Sequence, residues 1–324
     1  MAEPPLLLVR YRLAGGLFDR VAERCAVAFM DGPVLARATD EQLARAWGVW
    51  TFGERIDEAL LARMPALRCV VNFGVGVDGV DRDALARRGI RFVWPVGANA
   101  EAVADHALAL ILAVRHRIVE NDRLVRDGGW EADGYLPLDS ADLHAARVGL
   151  VGLGAIGRAT ARRLAGFGTE LAYATPRRQP PEVEAALGIR HLDLDELLAW
   201  ADVVSLHCPL TDETRGLLDA RRIGLLRPTA VLVNTARGGV VDQEALIAAL
   251  AGGRLGGAGL DVFADEPHVP PALRALPNVV LTPHIASATV ATRRRMAELA
   301  ADNLIAALTG GVPPTPVNPQ VLRR

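Results

Sequence analysis

The stretch "VGLVGLGAIGRATARRLAGFG", residues 148–168, joins an apolar strand pattern to a helix pattern through a glycine-rich turn. The glycines of this turn follow a fixed spacing: Gly152, Gly154 and Gly157. In such a turn the first glycine permits a tight bend, the second lets the backbone approach a pyrophosphate, and the third allows close helix packing. Because a helix N-terminus attracts anions, the backbone NH groups of Ala155 and Ile156 are the expected phosphate donors. The stretch therefore predicts a dinucleotide-binding domain.

Apolar runs alternate with amphipathic helix patterns along most of the chain. Before the glycine-rich turn, four runs predict strands: residues 6–9, 25–29, 69–73 and 91–94. From the turn onward, six more runs do so: residues 147–152, 170–174, 202–207, 230–234, 257–263 and 278–283. Alternating strands and helices are typical of parallel sheets covered on both faces. The fold class is therefore α/β with two doubly wound parallel-sheet domains, and the six later strands match a complete Rossmann domain.

The chain is long enough for two domains, because 324 residues exceed what one hydrophobic core usually holds. Two longer helix patterns, residues 99–118 and 287–310, flank the later strand series. We expect the chain to leave the first domain at the first of these helices and to return through the second. The Rossmann domain, residues 99–287, would then be inserted in a discontinuous domain of residues 1–98 and 288–324.

Composition excludes several classes of protein. Charged residues make up 23% of the chain and its formal net charge is −2, so we expect no nucleic-acid partner and no membrane partner. All 36 basic residues are arginine, which excludes a Schiff-base lysine and a P-loop lysine. The three cysteines lie far apart without CxxC spacing and predict neither a disulfide framework nor a metal site. The N-terminus lacks the pattern of a signal peptide, so we expect a cytoplasmic protein.

The second strand of the Rossmann domain runs into "YATPRRQP", residues 173–180, which contains no acidic residue. An acid about 20 residues after the glycine-rich turn usually binds the adenosine ribose hydroxyls, and Ala174 stands near that place. Thr175, Arg177 and Arg178 would instead receive a 2′-phosphate. Each hydrogen bond to a charged group contributes roughly 1.5–3 kcal/mol, so these arginines could decide the cofactor. We predict a preference for NADP(H) over NAD(H).

Three later strands end in residues that can carry chemistry. Arg237 follows "VLVN", Asp265 and Glu266 follow "GLDVF", and His284 follows "VVLTP". The carboxyl ends of parallel strands border the cofactor crevice. Reduction of a 2-oxo acid needs a cation for the carboxylate, which suits Arg237, and a proton donor, which suits His284. Either Asp265 or Glu266 could raise the pKa of the imidazole by roughly 1–3 units.

The other histidines show no paired metal-ligand spacing and are interpreted as structural or surface residues: His106, His116, His144, His191, His207 and His268. No metal is expected. Two aromatic residues, Trp50 and Phe52, could line a substrate pocket or belong to the core.

Taken together, these motifs resemble those of one known family. The segments at 148–168, 232–250, 257–267 and 278–287 resemble those of the D-isomer-specific 2-hydroxyacid dehydrogenases, and "NFGVGVDGVD" at 72–81 resembles that family's substrate-domain loop. The subgroup with the greatest similarity is that of the glyoxylate/hydroxypyruvate reductases, including the hydroxyphenylpyruvate reductase-like members. The resemblance implies a flavodoxin-like substrate domain, cleft closure by hinge motion, and a homodimer joined through the cofactor domains.

The resemblance also assigns roles residue by residue. It implies a catalytic set of Arg237, Glu266 and His284, which selects Glu266 over Asp265 as the partner of the imidazole. Substrate would be held by Arg237, His284 and the backbone NH groups of Val75 and Gly76. The resemblance also implies further cofactor contacts. Near the nicotinamide carboxamide these are Thr235, Ala236, Asp261 and Ser287, and near the adenosine they are Pro209 and Thr214.

The predicted reaction is NADPH-dependent reduction of a small 2-oxo acid to the D-2-hydroxy acid, with glyoxylate, hydroxypyruvate or a phenylpyruvate-type acid as substrate. The family commonly has Thr-Pro where this chain has Trp94-Pro95, which leaves substrate size open. One alternative is a dehydrogenase of another 2-hydroxy acid such as phosphoglycerate. A formate dehydrogenase is disfavoured, because that relative has Gln where Glu266 stands. A non-catalytic NADP-binding regulator is the alternative from another class, and the intact catalytic set argues against it.

Overall fold

The computed structural model describes residues 3–12, 17–74, 76–133, 140–316, 318 and 321. The chain divides into two compact units, Met1–Asn99 with Thr289–Arg324, and Ala100–Ala288. The first unit is therefore discontinuous in sequence, and the second is inserted in it. Each unit contains one sheet whose strand pairs are all parallel. The α/β fold class with two doubly wound parallel sheets is thus confirmed.

The sheet of the first unit has five strands: β1 Leu6–Val9, β2 Ala26–Phe29, β3 Ala46–Thr51, β4 Cys69–Asn72 and β5 Arg91–Val93. Their order across the sheet is β2-β1-β3-β4-β5. This is the flavodoxin-like order, in which the direction of winding across the parallel sheet reverses between β1 and β3. Strand β3 is absent from the sequence prediction, which was wrong in giving this unit only four strands.

The sheet of the second unit has seven strands: β6 Arg147–Val151, β7 Glu170–Ala174, β8 Ile189–His191, β9 Val203–Leu206, β10 Val231–Asn234, β11 Gly257–Leu260 and β12 Val279–Leu281. Their order is β12-β11-β10-β9-β6-β7-β8, the Rossmann order. The predicted six strands are present, and β8 is an additional edge strand. The direction of winding reverses between β6 and β9, so ligands are expected at the carboxyl ends of these two strands.

Helices of the first unit are α1 Leu17–Ala22, α2 Val34–Arg37, α3 Asp40–Arg45, α4 Glu58–Ala62, α5 Arg82–Arg87 and α15 Val290–Leu308. Those of the second unit are α6 Ala100–Arg115, α7 Ile118–Arg126, α8 Gly129–Asp133, α9 Ala155–Ala165, α10 Pro181–Leu187, α11 Leu194–Trp200, α12 Ala220–Ile223, α13 Gln243–Ala251 and α14 Pro271–Arg274. A short 3-10 helix spans Gly238–Val240. The two long helices expected from the sequence correspond to α6 and α15. In the described residues, none of the helices is long and apolar enough to cross a bilayer.

The strands are apolar because helices cover both faces of each sheet. In the first unit, Leu7 belongs to a core on one face together with Trp50, and Leu8 belongs to a second core on the other face. Trp50 is therefore a core residue, whereas Phe52 is half exposed. In the second unit, strands β9, β10 and β11 are buried along their whole length. Side chains that can meet a ligand therefore lie in the turns after the strands.

Candidate active site

The glycine-rich turn lies at the point where the second sheet reverses its winding. Gly152 has a φ of +100°, and a Cβ there would stand 2.7 Å from the carbonyl carbon of His207. A Cβ on Gly157 would stand 2.3 Å from the carbonyl oxygen of Gly152. A Cβ on Gly154 would meet nothing within 4 Å. Two of the glycines are thus required by packing, while the middle one borders open space, as expected where a pyrophosphate approaches the backbone.

The helix that follows the turn can supply the phosphate donors. Helix α9 begins at Ala155 with Gly154 as its N-cap, and its first turn contains no acidic residue. The first NH groups of a helix have no partner within it, and the helix dipole adds partial positive charge there. The Ala155 residue is exposed and Ile156 half-buried. The turn therefore fits the pyrophosphate of a dinucleotide, with the NH groups of these two residues as the candidate donors.

A neutral histidine lies under the turn. His207 directly follows β9, and its Nε2 is 3.0 Å from Ser205 Oγ. Burial lowers the pKa of His207 to about 4. The imidazole is therefore uncharged near neutral pH and supports the turn by packing rather than by charge.

The loop after β7 contains the residues predicted to select the cofactor. Thr175 Oγ1 donates to the carbonyl oxygen of Arg177 at 2.7 Å. Arg178 donates to Glu184 through Nε at 2.9 Å and Nη2 at 2.7 Å, and the Tyr173 hydroxyl donates to the same carboxylate at 2.6 Å. The Arg178 and Tyr173 contacts lower the pKa of Glu184 to about 2. Among the described residues, the Arg177 guanidinium has no hydrogen-bond or ion-pair partner, so the two arginines differ in their availability.

The turn after β10 presents Arg237. Asn234 is buried, accepts from the Ala236 NH through Oδ1 at 3.0 Å, and donates to the Arg237 carbonyl through Nδ2 at 2.9 Å. Arg237 Nη1 donates to the Ala236 carbonyl at 2.6 Å. A Cβ on Gly238 would stand 1.9 Å from the Phe263 carbonyl carbon, so the turn rests directly on the backbone after β11. The buried asparagine at the end of the strand therefore fixes the backbone from which Arg237 projects.

Two of the predicted catalytic residues are in direct contact. His284 Nδ1 lies 2.6 Å from Glu266 Oε2, and Glu266 Oε1 accepts from the Phe263 NH at 3.0 Å. The side chains are 49% and 33% exposed, so the pair is open at one side rather than enclosed. The hydrogen bond to His284 is thus made by Glu266, while the backbone of Asp265, the alternative partner in the sequence, forms an isolated β-bridge with His268.

Charge in this cluster favours the protonated imidazole. The hydrogen bond that His284 donates to the Glu266 carboxylate raises the pKa of His284 above its ordinary value, while burial and the nearby Arg237 charge act in the other direction. Burial raises the pKa of Glu266, but the hydrogen bonds from His284 and the Phe263 NH outweigh it, so that the pKa lies below its ordinary value. The pair is thus arranged as imidazolium and carboxylate, with Arg237 close enough to affect both pKa values.

The cofactor residues implied on the carboxamide side lie in the same part of the second unit. Asp261 is fully buried directly after β11, and its carboxylate accepts several hydrogen bonds from residues 282–286. Thr235 Oγ1 is buried, and in the described part of the chain it has no hydrogen-bond partner, as expected of a polar atom facing a ligand site. Ala236 and Ser287 are half-buried. Their contacts with cofactor stay predictions.

On the adenosine side, the loop after β9 is held by its own hydroxyl groups. Thr214 Oγ1 donates to the Pro209 carbonyl at 2.6 Å and accepts from the Thr211 NH at 2.8 Å. Pro209 is exposed and Thr214 half-buried. Thr214 therefore shapes this loop, and its contact with an adenosine is a prediction.

In the first unit, the predicted substrate loop follows β4. Val75 lies outside the described residues, whereas Gly76 is described and half-buried. Asn72, the last residue of β4, is buried and donates through Nδ2 to the carbonyls of Gly74 at 2.8 Å and Gly76 at 2.6 Å. A buried asparagine thus holds this loop in the same manner as Asn234 holds the Arg237 turn.

Sequence reasoning missed these supporting residues. Asn72 and Asn234 each end an otherwise apolar strand, in "CVVN" and "VLVN". A polar residue at the last position of a buried strand needs a hydrogen-bond partner, and the following turn is the nearest source. That pattern was the available signal. The contacts of His106 depend on tertiary packing and have no such signal in the sequence.

The fold and site define a dinucleotide-binding α/β protein with an Arg–Glu–His cluster at the carboxyl edge of its second sheet. A family model described as D-isomer specific 2-hydroxyacid dehydrogenase, NAD binding domain, matches residues 108–286. A glyoxylate reductase of Thermococcus onnurineus is 45% identical over 278 residues, which cover 85% of this chain and 83% of the relative. A glyoxylate/hydroxypyruvate reductase B of Escherichia fergusonii is 41% identical over 323 residues, covering 98% and 99%.

A solved structure shows the same likeness over the whole fold. It is that of the NADPH-dependent glyoxylate/hydroxypyruvate reductase of Sinorhizobium meliloti in complex with NADP and malonate. This chain is 36% identical to it, with a TM-score of 0.90 and 99% of each chain covered. The protein belongs to the family of D-isomer-specific 2-hydroxyacid dehydrogenases, which confirms the resemblance drawn from the motifs.

Proposed function

We propose that this protein reduces glyoxylate, hydroxypyruvate and related small 2-oxo acids to D-2-hydroxy acids with NADPH. The observation that carries the proposal is the His284–Glu266 hydrogen bond of 2.6 Å beside Arg237, on the sheet edge that bears the glycine-rich turn. Relatives at 41–45% identity are named glyoxylate reductase or glyoxylate/hydroxypyruvate reductase. The proposed substrate class combines the chemistry of this cluster with those names.

Each residue of the cluster has a separate task. Arg237 binds the substrate carboxylate and the carbonyl oxygen through its fork of donors. His284, protonated and oriented by Glu266, gives its proton to the oxygen that becomes the hydroxyl. Bound NADPH supplies the hydride that reduces the carbonyl carbon. In the reverse direction the neutral imidazole accepts the hydroxyl proton, so the same residue serves oxidation at higher pH.

The loop held by Asn72 supplies the remaining substrate contact in this proposal. Backbone NH groups of Val75 and Gly76 would bind the carboxylate, since an NH donor to a charged acceptor forms a strong hydrogen bond. Support comes from Asn72, whose side-chain amide donates to the Gly74 and Gly76 carbonyls and so holds the backbone of the loop at these two residues.

NADPH is the proposed cofactor because of the loop after β7. Arg177 is exposed, and Thr175 holds its carbonyl, so the guanidinium is available for a 2′-phosphate. Arg178 is oriented by Glu184 and also neutralises that carboxylate, which would otherwise repel a phosphate. The related structure from Sinorhizobium meliloti holds NADP.

A homodimer joined through the second units is part of the proposal. Large apolar side chains are exposed on the consecutive helices α7 and α8: Ile118, Val119, Val125 and Trp130. Exposed apolar groups of this kind mark protein interfaces. A second copy of the chain is the proposed occupant, and sedimentation of the purified protein tests it.

The decisive experiment is a panel of 2-oxo acids assayed by NADPH oxidation: glyoxylate, hydroxypyruvate, phenylpyruvate and the oxidised form of phosphoglycerate. We expect the highest kcat/KM with glyoxylate or hydroxypyruvate. A clear preference for the phosphorylated acid would replace the proposal with the dehydrogenase of that substrate. NADPH binding without turnover of any acid would favour a regulatory protein.

A further inference from the structure

We propose that His106 and Thr282 are positioning residues that act through Asp261 to fix the turn presenting His284. The inference rests on the proposed role of His284 as the proton donor. It concerns three side chains that lie behind the catalytic pair, all of them in the second unit.

The packing of α6 on β11 brings His106 to this place. A Cβ on Gly257 would stand 2.6 Å from Val114 Cγ1, and a Cβ on Gly259 would stand 2.9 Å from Leu110 Cβ. The helix therefore lies directly on a strand without side chains at these positions. Four residues of helix advance about 6 Å and two residues of strand about 6.6 Å. Four residues before Leu110 on the helix and two residues after Gly259 on the strand, His106 therefore lies opposite Asp261.

The three side chains form a directed chain of hydrogen bonds. Thr282 Oγ1 donates to Asp261 Oδ1 at 2.6 Å. Because the hydroxyl proton is used there, Thr282 Oγ1 accepts from His106 Nε2, which lies 2.9 Å away. His106 Nε2 is also 3.4 Å from Asp261 Oδ1. This arrangement requires the His106 tautomer that carries a proton on Nε2.

The Asp261 carboxylate accepts hydrogen bonds from residues on both sides of His284 in the turn. Before the catalytic histidine it binds the Thr282 side chain, and after it the carboxylate accepts from the NH groups of Ile285 at 2.8 Å and Ala286 at 2.9 Å. His284 itself has a φ of +53°, and its NH donates to the Thr282 carbonyl at 3.0 Å. A non-glycine residue stays in this left-handed region only where its surroundings hold it there.

The charge of Asp261 is kept by these donors. Burial raises the pKa of Asp261, but the hydrogen bonds from His106, Thr282 and the two backbone NH groups outweigh it, and the pKa lies below its ordinary value. Loss of the Thr282 hydroxyl removes one donor directly and leaves His106 with only its longer contact of 3.4 Å to Asp261 Oδ1. The turn would then be held from its C-terminal side only.

The test compares two matched pairs in the full-length protein: Thr282→Val with Thr282→Ser, and His106→Leu with His106→Gln. The first member of each pair removes the polar group, and the second keeps one in reach. Amide hydrogen exchange at Ile285 and Ala286, measured without cofactor, should become tenfold faster or more in Thr282→Val and His106→Leu. It should stay near the wild-type rate in the Ser and Gln variants.

Turnover is the second measurement. A misplacement of about 1 Å can cost on the order of 100-fold, so we expect kcat with glyoxylate to fall on the order of 10- to 100-fold in Thr282→Val. NADPH binding, followed by fluorescence, should weaken much less than kcat falls, because the glycine-rich turn is untouched, and Thr282→Ser should restore kcat. Wild-type exchange together with wild-type kcat in Thr282→Val would overturn the inference, as would a lower Tm accompanied by unchanged kcat in the folded fraction. If the wild-type protein turned over no 2-oxo acid, the proposed function would fail, and hydrogen exchange alone would decide this inference.

Discussion

Glu266 Oε2 lies 2.6 Å from His284 Nδ1, and this contact orients the imidazole with Nε2 pointing away from the carboxylate. The same carboxylate is anchored by the Phe263 NH, so its position is set by backbone as well as by the histidine. A proton donor in this arrangement has a fixed tautomer and a pKa above its ordinary value. In the proposed mechanism, the pair would therefore set both the direction of proton transfer and the pH range in which it operates.

The first prediction concerns pH. Since reduction needs the imidazolium, kcat/KM for glyoxylate should be highest at low pH and fall as pH rises through the raised pKa of His284. Glu266→Gln keeps a similar shape but removes the charge, so the fall should begin at lower pH. Asp265→Asn, one residue away, is the matched control and should leave the profile unchanged. A pH profile of Glu266→Gln identical to that of the wild type would contradict the pairing.

The same shifts affect stability. The raised pKa of His284 stabilises the folded state at pH values below the histidine's ordinary pKa, and this contribution is lost as pH rises through the raised pKa. The lowered pKa of Glu266 stabilises it above that group's ordinary pKa and ceases to do so as pH falls through the lowered one. The pair therefore contributes most at pH values between the ordinary pKa of a glutamate and the ordinary pKa of a histidine. The partial exposure of both side chains keeps this contribution small.

The second prediction concerns the proton donor itself. His284→Ala should lower kcat by roughly 10²–10⁴-fold, the range typical of a lost general acid. Binding of NADPH, measured by fluorescence titration, should be retained, because the glycine-rich turn is untouched. His268→Ala is the control, since this exposed histidine lies near the cluster but outside the catalytic pair. Retained turnover in His284→Ala would remove the histidine from the mechanism.

Much of the fold could be predicted because its signals are local. Buried parallel strands form apolar runs between helix patterns, and the glycine-rich turn marks the first strand of the Rossmann sheet. Strand β3 was missed, since "AWGVWT" is rich in tryptophan and directly follows α3 without a turn signal. Strand β8 was missed because it has three residues, lies at the edge of the sheet beside β7, and includes an arginine and a histidine.

The site could be predicted less completely than the fold. The side chains proposed to touch ligand follow strand ends, and strand ends are visible in the sequence. The side chains that hold them depend on contacts distant in sequence: His106 meets Thr282 from 176 residues away. The sequence prediction grouped Arg178 with Arg177 as phosphate ligands. In the structure, Glu184 from α10 forms an ion pair with Arg178, and this contact is not visible in the sequence.

The third prediction separates packing from binding within the glycine-rich turn. Gly157→Ala should destabilise the fold by about 1–3 kcal/mol, because its methyl group would overlap the Gly152 carbonyl oxygen. Gly154→Ala should leave the Tm unchanged or slightly higher, since its φ of −75° suits alanine and the space around it is open. Thermal unfolding without cofactor measures both effects. Only Gly154→Ala should lose NADPH affinity while keeping its stability, and wild-type affinity in that variant would place the pyrophosphate elsewhere.

The fourth prediction assigns the cofactor preference to Arg177. If its guanidinium binds the 2′-phosphate, a hydrogen bond to a charged group of roughly 1.5–3 kcal/mol is lost in Arg177→Ala, and kcat/KM for NADPH should fall about 10- to 100-fold. The value for NADH should not change, because that cofactor has no group to contact the arginine. Arg190→Ala is the matched control: this exposed arginine lies on β8, packs over the Trp200 ring, and should affect neither cofactor. Equal loss with NADPH and NADH in Arg177→Ala would indicate general damage to the site, and an unchanged ratio would show that the loop after β7 does not select the cofactor.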